Sequence, residues 1–248
     1  MTDPSSILII SMAFVFGGFV KGAAGLGMPV ITVAILAFVF NLPSAMALML
    51  IPGLATNAIQ AVAGPDWRGM LKRIAPFLIP SLFTIWFGTG LLVTIDNSIL
   101  IIMLGVILLI YAVIGLAGFT MQIPPVRELW IGPVFGAVNG VFTGLTGVTS
   151  TPSVIYLNGL GLAREHMVQA MGLLFLISYI VLTACLFIRG LVTPTVGAMS
   201  AFAMLPALVG LGIGTFMRKR MSEKRFKKVF YVVLIGLGLY LITRGFTG

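Results

Sequence analysis

Charge is what this chain has least of. Only 8% of its 248 residues are Asp, Glu, Lys or Arg, where a soluble domain carries about a quarter. With 59% hydrophobic residues and a mean hydropathy of +1.16, the chain lacks the polar residues to cover a water-facing surface. That excludes a soluble fold and points to an all-α polytopic membrane protein, its length spent on spans. Acid is scarcer than base. The carboxylates Asp3, Asp66, Asp96, Glu128, Glu165 and Glu223 all fall at termini or in expected loops. Cation pumps and many proton-driven carriers need an acid inside the membrane, so a cation substrate is disfavoured. The single cysteine, Cys185, precludes an intramolecular disulfide and reads as a packed thiol in an apolar run. The single histidine, His166, follows "LARE" at the start of a span. It reads as a solvated helix-end residue, with a proton-coupling role left open because an unperturbed imidazole titrates near neutrality. No basic n-region precedes the apolar stretch from Ile7, so no cleaved leader is expected. No nucleotide fingerprint, metal-ligand cluster or nucleophile–base pair occurs, so no cofactor, metal or enzymatic activity is expected.

What the chain has instead is a basic excess, a net charge of +9 and a pI near 10.2. The bases cluster in short loops between apolar segments, the pattern of the positive-inside rule, which excludes nucleic acid as a partner. The bilayer is the expected partner, with anionic lipid a secondary one for the basic cluster; a homo-oligomer is compatible with the sequence. Apolar segments run at 7–21, 28–41, 45–63, 72–92 and 97–119, then at 129–143, 152–160, 166–188, 193–216 and 228–246. The last three of each set are long enough to span, whereas the first two are short and expected to form a broken or re-entrant hairpin.

The two sets read as an internal repeat. "GFVKGAAG" spaces Gly18, Gly22 and Gly25 as "GVFTGLTG" spaces Gly140, Gly144 and Gly147. Pro80 precedes Gly88-Thr89 as Pro206 precedes Gly214-Thr215, at offsets of 122 to 126 residues overall. Residues 1–122 and 123–248 are therefore expected to be two repeats of one integral membrane domain. Equivalent loops carry opposite charge: 64–71 is basic where its counterpart has only Arg189, and 93–97 has no base where "MRKRMSEKRFKK" has seven. That is the signature of inverted repeats. Five crossings per half, or three plus a re-entrant hairpin, then place both termini outside.

Helices that stop within a bilayer expose backbone groups, tolerated only against protein or a water-filled cavity, and their N-terminal ends favour anions. One tip, "KGAAGLGMP", offers Lys21 and bare backbone at Gly22, Gly25 and Gly27. The other, "TGLTGVTSTP", offers Thr143, Thr146, Thr149, Ser150 and Thr151, with Gly144 and Gly147 for close approach and Asn139 a turn earlier. Hydroxyls, amides and exposed N–H groups hydrogen-bond a small oxyanion, and a lysine balances its charge. The same glycines are also a helix-packing pattern, and Ser/Thr also bond back to their own helix. Lys21 near an interface would snorkel, but an ionisable residue within a span is a functional candidate by default. Asn57, Gln60, Gln169 and Tyr179 either line the path or bond between helices.

At these two motifs the chain resembles the TauE/SafE family of sulfite exporters, also described as sulfonate permeases. "GFVKGAAGLGMP" is similar to the family's first glycine-rich motif and "GVFTGLTGVTSTPSVIYLNGLGL" to its second-half copy. The resemblance implies export of sulfite, or of a related organosulfonate or oxyanion, across a bacterial inner membrane. It places the motif on Lys21, Gly22, Gly25 and Gly27, then on Gly144, Gly147, Thr149, Ser150 and Pro152. The second motif is richer here in threonine than in glycine. An organosulfonate uptake permease and an anion channel remain as alternatives.

Overall fold

The computed structural model of the chain describes residues 3–119, 121–149, 151–218, 220 and 222–247, without the side chains of Thr151, Glu223 and Lys224. Among the described residues there is no strand. The helices are α1 (Pro4–Ala24), α2 (Met28–Leu36), α3 (Leu42–Leu48), α4 (Leu50–Ala61), α5 (Trp67–Leu92), α6 (Asn97–Leu116), α7 (Pro125–Thr146), α8 (Thr151–Gly159), α9 (Arg164–Ile188), α10 (Pro194–Arg218) and α11 (Glu223–Thr247). The acids sit where these helices begin. Asp3 accepts from the Ser6 N–H at 3.0 Å and Asp66 from that of Gly69 at 2.9 Å. Asp96 precedes α6, Glu128 and Glu165 lie in the first turns of α7 and α9, and Glu223 opens α11. Orphan N–H groups and the positive dipole end favour a carboxylate there, which is why acid is confined to helix starts.

Among the described residues, seven helices are long and apolar enough to cross a membrane: α1, α5, α6, α7, α9, α10 and the Arg225–Thr247 part of α11. The pair α3 and α4, bent by 44° at Met49, is a broken span, which makes an eighth crossing, or a re-entrant loop. The chain is a polytopic, all-helical membrane protein, with one correction of length. The first segment of each half is not short. α1 has 21 residues and α7 has 22, about 31 and 33 Å at the helical rise. Apolar runs stop at the first polar residue, but these helices continue through Lys21 and Thr143, whose side chains are buried. Of the first two segments in each half, the second alone is short: α2 and α8 have nine residues each.

The chain divides into two compact units, each with helices from both halves. One comprises Met1–Pro52, Ile95–Phe119 and Leu191–Gly248; the other comprises Gly53–Thr94 and Thr120–Gly190. In the first, α1 runs parallel to α10, with Gly18 against the Ala207 carbonyl and Gly22 against the Leu211 carbonyl. α2 folds back along α1, where Thr32 donates its hydroxyl to the Ala13 carbonyl at 3.4 Å. α2 and the turn after it accompany α11, from Gly27 beside the Phe230 ring to the Ala37 carbonyl, which accepts from Arg244. That stretch of α11 covers about 21 Å.

In the second unit α7 runs parallel to α5, with Gly140 against the Ser81 carbonyl and Gly144 against that of Ile85. The two contacts share a register. A Cβ on Gly22 would lie 2.7 Å from the Thr215 nitrogen, and one on Gly144 would lie 2.7 Å from the Thr89 nitrogen. Lipid is as apolar as a side chain, so helices in a bilayer associate through such close packing of small residues.

Candidate functional site

In the first unit α1 ends at Gly25, whose φ of 81° is left-handed and whose N–H donates to the Lys21 carbonyl at 2.7 Å. Gly27, at φ 96°, opens α2, and Pro29 follows in its first turn. Both positions favour glycine, which alone adopts such angles without strain. Lys21 occupies the last turn of α1 and is 4% exposed. Its side chain is held inside the protein rather than extended to a headgroup layer, and a buried ionisable group in a span is a functional candidate.

The second unit has the same turn at Gly147, with φ 70° and an N–H donated to the Thr143 carbonyl at 2.8 Å. Here the break is lined with neutral polar groups. Asn139, Thr143, Thr146 and Thr149 are fully buried. Thr146 donates its hydroxyl to the Phe142 carbonyl at 2.7 Å and accepts from the Val148 N–H at 3.3 Å. Tyr179 on α9 donates its hydroxyl to the Gly147 carbonyl at 3.0 Å. The Ser153 hydroxyl, on α8, donates to the Thr149 carbonyl. Thr149 Oγ1, two residues past this turn, is buried without a partner, as are Asn139 Oδ1 two turns earlier on α7 and Oγ of Ser178 on α9.

The Asn139 amide sharpens the picture. Its nitrogen donates to Ser81 Oγ at 3.2 Å and to Thr143 Oγ1 at 3.5 Å. Amide oxygen and nitrogen are distinguished only by their partners. Ser81 and Thr143 hydroxyls also donate, so the reversed amide keeps both bonds and presents its NH₂ at the unpartnered position. A buried polar group without a partner costs about 1–3 kcal/mol. An oxyanion accepting from such a donor would remove that cost, and no carboxylate among the described residues lies at this break to repel it.

The expected site residues divide between the units. Lys21, Gly22, Gly25 and Gly27 belong to the first; Asn57, Asn139, Thr143, Gly144, Thr146, Gly147 and Thr149 belong to the second. Ser150 lies outside the described residues, and Thr151 is described only as the first residue of α8. Gly22 and Gly144 lie in the helix contacts, not at the turns. Asn57 is buried in α4. Gln169 bonds between segments: it donates to the Ala61 and Gly64 carbonyls at 3.2 and 2.9 Å and accepts from the Asp66 N–H. Sequence reading missed Ser178, a lone serine in "FLISYIV" with no motif around it. It also missed that Arg189 folds back, with its guanidinium 5.0 Å from the Trp86 ring centre and donating to Thr89 Oγ1 at 3.1 Å. A third omission is the ion pair of Arg73 with buried Glu128 at 2.8 Å, between residues 55 apart that no spacing rule connects.

Comparison with curated proteins gives no match, and comparison with solved structures gives none either. The family model described as sulfite exporter TauE/SafE matches residues 10–241, a stretch that takes in both glycine turns and their flanking helices. The chain belongs to the sulfite exporter TauE/SafE family of membrane transporters.

Proposed function

We propose that the protein is a secondary transporter that exports small sulfur oxyanions, sulfite foremost, across the bacterial inner membrane. The observation that carries this reading is the break at Gly147, where the Thr149 hydroxyl is buried without a partner and the Asn139 amide two turns earlier on α7 keeps one atom unpartnered as well. Neutral donors of this kind suit an oxyanion, which needs hydrogen bonds from several directions. Lys21, buried at the matching turn of the first unit, supports the reading separately, as a buried ionisable group within a span. The duplicated glycine contacts support two repeats over 1–122 and 123–248, and the opposite loop charges support their inversion with both termini periplasmic. Export needs no coupling ion: a potential of about 100 mV, inside negative, favours anion exit by about 2.3 kcal/mol per charge.

Proteoliposomes test this directly. Sulfite efflux that saturates with concentration and follows the potential is the expected result, with sulfate, thiosulfate, sulfoacetate and taurine as competitors. Inward flux of an organosulfonate driven by a proton gradient would make the protein an uptake permease. Non-saturating chloride currents without sulfite transport would make it a channel.

A further inference from the structure

The first unit holds a cavity of about 420 Å³ between α1, α2 and the start of α11. Its walls are apolar: Phe16, Phe19 and Val20 from α1, Ile31 from α2, and Phe226, Val229, Phe230 and Val233 from α11. One end is different. Arg220, Ser222 and Arg225 line it there, all exposed, and the Arg220 guanidinium lies 4.9 Å from the Phe216 ring centre. From Ser222 to Val233 the cavity follows α11 for about 16 Å. It is polar and cationic at the helix start and apolar beyond. Phe16 and Val229 are 41% and 63% exposed, so the cavity is open along its side where membrane helices meet lipid.

A sulfur oxyanion does not fit this lining, because an apolar wall offers it no hydrogen bonds. A graded cavity of this kind fits an amphiphile with an anionic head. We propose that it binds one anionic phospholipid, the phosphate on Arg220 and Arg225 with the Ser222 hydroxyl, and an acyl chain along Phe19, Phe226, Val229 and Val233. Basic residues beside a membrane helix attract anionic lipid, and the cavity turns that general attraction into a site. Its walls reach the glycine turn: a Cβ on Gly27 would lie 3.0 Å from the Phe230 ring and 3.1 Å from Val20, the residue before Lys21. A bound lipid therefore braces the turn that carries the buried lysine.

Native mass spectrometry of the full-length protein, exposed to phosphatidylglycerol or phosphatidylcholine of identical chains, tests the proposal. Retention of one phosphatidylglycerol, with phosphatidylcholine lost under the same activation, is the expected result. The Arg220→Ala/Arg225→Ala variant should weaken retention by about thirtyfold, the loss anticipated for two basic residues at a membrane surface. Val229→Trp, which fills the cavity and leaves every charge in place, should weaken it too. Lys227→Ala/Lys228→Ala removes two charges from the same cluster outside the cavity and should retain the lipid. Equal retention of both lipids overturns the proposal, as does equal loss in the two double variants, which would signify diffuse surface attraction. Competition by glycerol phosphate as effective as the intact lipid would also overturn it, in favour of a free-anion site.

Discussion

Tyr179 donates its hydroxyl to the Gly147 carbonyl at 3.0 Å, joining α9 to the turn that ends α7. Both residues are buried, so the bond has no water to replace it. Tyr179→Phe keeps the ring and leaves the carbonyl unpartnered, which should lower stability by about 1–3 kcal/mol. The turn positions Thr149 two residues on, so sulfite affinity should fall as well. Thermal unfolding and calorimetric titration of the same preparation read both effects. Loss of stability with unchanged affinity would make the bond structural only.

Thr149 and Ser178 separate function from stability in the opposite direction. Their hydroxyls are buried without partners, so removing them relieves a cost of about 1–3 kcal/mol apiece, less whatever ordered water offsets. Thr149→Val and Ser178→Ala should therefore melt at or above the wild-type temperature. Each should nevertheless lose about tenfold to a hundredfold in sulfite affinity, the value of a hydrogen bond to a charged group. A variant that loses stability and affinity together would show a hydroxyl that holds the fold.

The membrane class, the helical segments and both glycine turns were legible because each rests on local chemistry. Composition excludes a water-facing surface, and Gly25, Gly27 and Gly147 carry the positive φ that their motifs anticipate. The length of α1 was not legible, since a hydropathy run ends at Lys21 while the helix is closed by the αL turn four residues later. Nor was the role of Gly22 and Gly144. The G-x3-G spacing fits a ligand loop and a packing face equally well, and only the neighbouring backbone of α10 and α5 separates them. Ser178 and the Arg73–Glu128 pair were invisible because tertiary contact, not sequence spacing, gives them meaning.

Those helix contacts make a stability prediction. Gly22→Ala places a methyl group against the Leu211 carbonyl, and Gly144→Ala places one 2.5 Å from the Ile85 carbonyl. Backbone cannot step aside as a side chain can, so each should cost about 1–3 kcal/mol. Gly236 in α11 has open space around it, and Gly236→Ala should gain about 0.5–1 kcal/mol from helix propensity alone. Melting temperatures of the three variants in one detergent decide the matter. Equal shifts would mean that the small-residue faces do not hold the helices together.

Lys21 is the decisive test of the first unit. It is 4% exposed in the last turn of α1, where a cation also complements the negative end of the helix dipole. That second role is worth only about 0.3–1 kcal/mol, too little to explain burying an ammonium group within a span. Lys21→Met keeps the length of the side chain and removes the charge. Membrane insertion and abundance should match the wild type, whereas sulfite flux should fall by about tenfold to a hundredfold if the charge assists the anion. Lys21→Arg keeps the charge in a larger, planar group that the buried position does not admit freely, so its flux should lie between the two. Wild-type flux through Lys21→Met would reduce Lys21 to a helix-end residue and leave transport to the hydroxyl-lined break.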